Sequence, residues 1–109
     1  MSTTTPEGKV KRAIKKVLDD LGVYYHMPVQ NGMGKPTLDF ICCVGGVYVV
    51  IEAKAPGAIP TRRQEALMKE IRASGGCTFW ISEVAEVGLL SSALVLIKEK
   101  FEVMKALEE

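Results

Sequence analysis

The stretch that most constrains this chain is "TLDFICCVGGVYVVIEAK", Thr37 to Lys54. Two apolar, strand-forming runs are separated by Gly45-Gly46 alone. Such a link specifies a β-hairpin, because glycine supplies the positive φ angles that a tight two-residue turn requires. Val44 then faces Val47, and each step outward moves one residue along both strands. Cys43 faces Tyr48, Ile41 faces Val50, Asp39 faces Glu52 and Thr37 faces Lys54. Side chains alternate along a strand, so these partners share one face of the sheet. The register therefore puts two carboxylates opposite each other, with Cβ atoms roughly 5 Å apart and apolar neighbours beside them. Like charges so placed destabilise a sheet unless something offsets them. A hard divalent cation with oxygen ligands is one remedy. Lys54, on the same face, is within reach of whatever the cation holds. An ordinary alternative is a strand-end salt bridge between Asp39 and Lys54, with Glu52 solvated.

The rest of the chain supplies helices for this hairpin. Thr5 is a good N-cap and Pro6 suits the first helical position. Val10, Ala13, Ile14, Val17, Leu18 and Leu21 then recur at helical spacing until Gly22. Lys9, Lys11, Arg12, Lys15 and Lys16 fall on the opposite face. Val23 to Met27 reads as a short strand and "PVQNGMGKP" as a loop. The hairpin strands should span about Thr37 to Val44 and Val47 to Lys54. "APGAIP" breaks the chain before a helix over Thr61 to Ser74, where Thr61 and Gln64 have capping-box spacing. Gly75-Gly76 closes it, and Cys77 to Ser82 is a fourth strand. From about Val84 the chain turns helical, with Leu90, Leu94, Ile97, Phe101 and Met104 as its apolar stripe. Gly88 and the Ser91-Ser92 pair are candidate division points. The order is αβββαβα, a mixed α/β fold with helices covering a sheet.

At 109 residues the chain supports one core and one domain, 1–109. Its net charge of +1 gives no overall case for a nucleic-acid partner, so any basic surface must be local. Cys42, Cys43 and Cys77 form no CxxC pair and read as reduced thiols of a cytoplasmic protein. The longest apolar segment, Phe40 to Ile51, is too short to span a membrane. The first residues lack the apolar core of a signal peptide.

Glu7 adds to the hairpin acids. It lies three residues before Val10, on the apolar stripe that should face the sheet. The helix dipole favours an acid in the first turn, but that alone does not explain an inward-facing one. A third carboxylate aimed at the sheet would complete a metal cluster.

Asp39 followed by Glu52-Ala53-Lys54 on the next strand resembles the PD-(D/E)xK nuclease superfamily. Glu7 at the first helix, "GKPTLDF", "VVIEAKAPG" and "TRRQ" opening the next helix narrow the likeness to the VRR-NUC family, in its stand-alone phage or bacterial type. It covers nearly the whole chain and is weakest over the last 20 or so residues. The resemblance implies a restriction-endonuclease-like fold. It implies Mg²⁺ or Mn²⁺ bound by Glu7, Asp39, Glu52 and the backbone carbonyl of Ala53. Lys54 takes the catalytic lysine position, and Gln64 matches a glutamine bordering the site. Leu38 departs from the pattern, since the family often has Pro before the aspartate. The activity implied is endonucleolytic hydrolysis of DNA phosphodiesters, by a homodimer acting on branched DNA like a Holliday-junction resolvase, in a bacterial or phage-infected cell. Larger proteins carrying the domain process flaps and crosslinks, which links it to DNA repair.

On that chemistry, Lys54 would orient the attacking water or stabilise the transition state. Gln64 would position the water or Lys54, or serve only as a cap. Lys9, Lys11, Arg12, Lys15, Lys16, Lys35, Arg62 and Arg63 are candidates for DNA phosphates, with a solvated helix face as the plain alternative. Arg62 and Arg63 sit at a helix start, where the dipole disfavours cations. His26 reads as structural, and Tyr48 and Trp80 as core or interface aromatics. Competing functions are a flap or nonspecific DNA nuclease, a non-catalytic DNA-binding module, and a structural homodimer subunit that uses the last apolar stripe.

Overall fold

The structure is a computed structural model that describes residues 5–29 and 36–108. Lys35 and most of the glycine loop before the hairpin lie outside the described residues. Helix α1 spans Pro6–Asp20 and starts where Thr5 Oγ1 accepts the Gly8 amide at 2.9 Å. Strands β1 (Tyr24–His26), β2 (Phe40–Val44) and β3 (Val47–Ala53) follow, then α2 (Arg62–Ala73), β4 (Cys77–Ile81), a 3₁₀ turn (Val84–Glu86) and α3 (Val87–Glu108). The element order is the one expected.

The sheet runs β1-β2-β3-β4. The first two pairings are antiparallel and the last is parallel, so the sheet is mixed and α2 forms the crossover from β3 to β4. The hairpin register holds along its length, from Val44↔Val47 to Phe40↔Ile51. Gly45 and Gly46 both take positive φ, 55° and 79°, as a two-residue turn of this kind requires. An apolar layer lies on each side of the sheet. Val10, Ile14 and Leu18 of α1 and Leu90 and Leu94 of α3 pack with Phe40, Cys42, Val49 and Ile51. On the other side, Met68 of α2 packs with Leu38 and Val50, flanked by Ile41, Leu67 and Ile71. Leu38 is fully buried in that second layer.

Three expectations are corrected. First, β2 begins at Phe40 rather than Thr37, and β3 stops at Ala53 rather than Lys54. The ladder ends there because the Asp39 and Ala53 amides donate to carboxylates instead. Second, α3 runs unbroken through Gly88 and Ser91-Ser92. Ser92 Oγ satisfies itself on the Gly88 carbonyl at 3.1 Å without opening the helix. The division falls earlier, at the 3₁₀ turn, where Glu86 Oε1 accepts the Ser82 and Glu83 amides, each at 2.9 Å. Third, the α3 stripe is split. Leu90 and Leu94 are buried and Ile97 is half-buried, whereas Phe101 and Met104 are exposed.

Cys42 and Cys43 point to opposite faces, one buried and one exposed, and all three thiols are free. Tyr48 and Trp80 are exposed, so neither belongs to the core. No helix among the described residues is long and apolar enough to cross a membrane.

Candidate functional site at the carboxylate end of the hairpin

The site follows from the register. One step beyond Phe40↔Ile51, Asp39 and Glu52 meet, and each carboxylate takes a backbone amide of the other strand. The Asp39 amide donates to Glu52 Oε1 at 3.1 Å, and the Ala53 amide donates to Asp39 Oδ2 at 2.9 Å. These reciprocal bonds offset part of the repulsion between the two acids. Glu52 is the buried charged residue of the described chain, at 5% exposure. Its second oxygen, Oε2, accepts from Gln64 Nε2 at 2.8 Å and lies 3.7 Å from Lys54 Nζ. Lys54 therefore pairs with Glu52, and Glu52 is not solvated, so the plain strand-end bridge from Asp39 to Lys54 gives way. The Lys54 amide donates to the Ile81 carbonyl at 2.8 Å, which ties the lysine's backbone to the end of β4.

Gln64 is a capping residue of α2, and it also touches the site, at Glu52 rather than at Lys54. Its Oε1 accepts the Thr61 amide at 2.9 Å, and its own amide donates to Thr61 Oγ1 at 3.1 Å, which completes the capping box of α2. The same side chain turns its NH₂ group to Glu52. Capping thus fixes the rotamer that grips the carboxylate.

Electrostatics at Glu52 are unusual. Burial, and next the charge of Asp39, push its carboxyl up to about 7. Lys54 and the Asp39 amide pull the other way, and Glu7 adds a smaller push.

Glu7 lies elsewhere than expected. Its side chain is 44% exposed, and its Oε2 lies 3.4 Å from Lys11 Nζ. Lys11 in turn lies 3.8 Å from Asp39 Oδ1, so it stands between the helix acid and the hairpin acids. Sequence reasoning put Lys11 among the phosphate-binding cations. The i,i+4 spacing from Glu7 was the available signal for its first contact, but no local pattern foretold the second. Among the described residues, no group of three or more His, Cys, Asp or Glu side chains is gathered closely enough to hold a metal ion. Two carboxylates are assembled, and Glu7 stands apart from them with Lys11 between.

The remaining cations lie along α1 and at the start of α2. Lys9, Arg12, Lys15, Lys16, Arg62 and Arg63 are all exposed. Lys16 is engaged with Asp20 at 3.0 Å. A cavity of about 360 Å³ opens beside the start of α1, lined by Thr5, Glu7, Gly8, Lys11, Arg12, Lys15 and Met27. Arg62 and Arg63 precede Gln64 in the first turn of α2. Both helices therefore present their N-terminal turns to the carboxylates, where their dipoles add positive potential. Trp80, the single tryptophan, is the register partner of Glu52 on β4. His26 is exposed on the edge strand β1.

Compared with family models, curated proteins and solved structures, the chain matches none.

Proposed function

We propose that this chain is a metal-dependent endodeoxyribonuclease of the restriction-endonuclease-like type, acting on branched DNA as a homodimer in the manner of a Holliday-junction resolvase. One observation carries the reading. Asp39, buried Glu52, Lys54 and Gln64 converge on one end of a hairpin, in the order and spacing of the PD-(D/E)xK nucleases.

The donor set suits Mg²⁺ or Mn²⁺ in its chemistry. Both acids offer hard oxygens. Glu52 carries the desolvation and repulsion that a bound cation would relieve, as its upward shift to about 7 reflects. Asp39 and Glu52, with the Ala53 carbonyl, would hold the ion, and Glu7 would join once its pairing with Lys11 breaks. When bound, the ion supplies Lewis acidity, lowering the pKa of its water and offsetting charge that develops on the phosphate.

The chain's own groups do the rest. Gln64 fixes the orientation of Glu52. Lys54, held beside Glu52, presents an ammonium to the phosphate or its attacking water, where charge grows in the transition state. Lys11 balances Glu7 and Asp39 in the free protein. Lys9, Arg12, Lys15, Arg62 and Arg63 hold the flanking phosphates, which fixes position rather than sequence.

Labelled four-way junctions, flaps, duplexes and single strands incubated with Mg²⁺, Mn²⁺ or EDTA test this reading. Junction cleavage with either metal and none with EDTA is expected. Intact DNA of every kind in both metals sinks the nuclease reading, and preferential flap cutting sinks the resolvase part alone.

A further inference from the structure

Trp80 flanks the two acids and is left open to solvent. It is 41% exposed. Its register partner is Glu52, on the neighbouring strand of a parallel pair. Ladder partners share one face of a sheet, and neighbouring strands lie about 4.8 Å apart. Asp39 thus meets Glu52 from the β2 side, and Trp80 adjoins it from the β4 side. In the described sheet β4 is an edge strand. Cys77, Phe79 and Ile81, at the alternate positions of that strand, turn to the opposite face and pack with the core under α1 and α3.

Cations line the same stretch of the sheet. Arg72 Nη1 donates to Thr78 Oγ1 at 2.6 Å. Thr78 precedes Trp80 by two residues, about 7 Å along the same face of β4. Arg62, Glu65, Lys69 and Arg72 follow one another on α2 at steps of three and four, and all are exposed. Residues so spaced share one flank of a helix, and Arg72 lays that flank against β4. The border of Trp80 therefore carries three cations and one acid.

We propose that Trp80 is a base-stacking residue. It receives an unpaired nucleobase beside the phosphate at Asp39 and Glu52, while Lys69 and Arg72 hold phosphates along β4. The proposal rests on the nuclease reading for the identity of the ligand as DNA. An indole stacks on any base, because every base has a flat π face, so the contact selects strand structure rather than sequence. A paired duplex keeps its bases stacked inside the helix. A branch point or a single-stranded tail frees one. The substrate class is thus DNA with an unstacked nucleotide next to the scissile phosphate. Trp80 takes no part in bond breaking and acts as a positioning residue.

The indole is its own probe, because the chain has one tryptophan. Oligothymidylate titrated into the wild-type chain in EDTA should quench Trp80 fluorescence, and an intact duplex at the same concentration should not. Anisotropy of a labelled strand gives the affinity independently. Trp80→Ala should weaken single-strand binding about ten- to a hundredfold. Trp80→Phe should recover most of that loss, and duplex binding should stay unchanged in both variants. No single-strand binding, a bound strand that leaves the fluorescence unmoved, or equal affinities for wild type and Trp80→Ala would overturn the stacking role. Equal quenching by the duplex would overturn the need for an unpaired base. These readings need no cleavage. Quenching without cutting in Mg²⁺ or Mn²⁺ supports the stacking and removes the nuclease reading alone, whereas cutting with unmoved fluorescence overturns the stacking alone.

Discussion

At the residue scale, Glu52 is the group on which the site turns. Its carboxyl titrates near 7 in the fold, against 4.5 as its ordinary value. A carboxyl raised by folding stabilises the protein while it is protonated. That contribution is complete below pH 4.5 and is lost as pH rises through about 7. In EDTA the melting temperature should therefore fall between these values, by an amount that Glu52→Gln removes; parallel pH profiles for the two proteins would contradict the burial described. Lys11 makes the complementary prediction. Its ion pairs, at 3.4 and 3.8 Å and partly exposed, contribute at most about 1 kcal/mol to the fold. Lys11→Met should accordingly leave the melting temperature nearly unchanged and tighten Mn²⁺ binding severalfold, read by calorimetry or by the fluorescence of Trp80. Weaker Mn²⁺ binding would mean that Lys11 supports the cation rather than standing in for it.

At the element scale, much of the fold was legible. Gly45-Gly46 pointed to the hairpin register, because a two-residue turn with no bulge pairs Val44 with Val47, as the ladder does. Thr5-Pro6 and Thr61-Gln64 marked their helix starts through local capping bonds that need no tertiary context. What escaped the sequence depended on contacts between elements. Lys11 looked like part of a solvated face, since its partner Asp39 is remote in the chain. Glu7 looked inward because the stripe was extended through the first turn, whereas the buried positions of α1 begin at Val10. The α3 stripe looked like core or interface and is core at one end only, because the sheet ends at the turn while the helix continues. Two substitutions test the elements. Gly45→Ala would place a Cβ 2.8 Å from Phe101 Cβ and 3.0 Å from the Ile97 carbonyl at a φ of 55°, and should cost about 1–3 kcal/mol in urea unfolding. Thr61→Ala should cost about 1 kcal/mol by removing the cap, and should also loosen Gln64 from Glu52. An unchanged urea midpoint for Gly45→Ala would mean that α3 does not press on the turn.

At the scale of the whole molecule, Asp39, Glu52 and Lys54 at the hairpin end meet Gln64 from the start of α2 and Lys11 from α1 at one end of the sheet. A chain with a net charge of +1 in this way gathers two acids and two lysines at one end of its sheet. Nuclease chemistry accounts for that combination better than a stability role does, since a buried acid with a raised pKa beside a second acid costs the fold free energy. The most direct test compares wild type with Asp39→Asn on a four-way junction in Mg²⁺, following binding and cleavage in the same samples. The account predicts that the variant binds the junction about as well as wild type, because the cations proposed to hold phosphates are intact, and that its cleavage falls below detection. Cleavage by Asp39→Asn at the wild-type rate would contradict it.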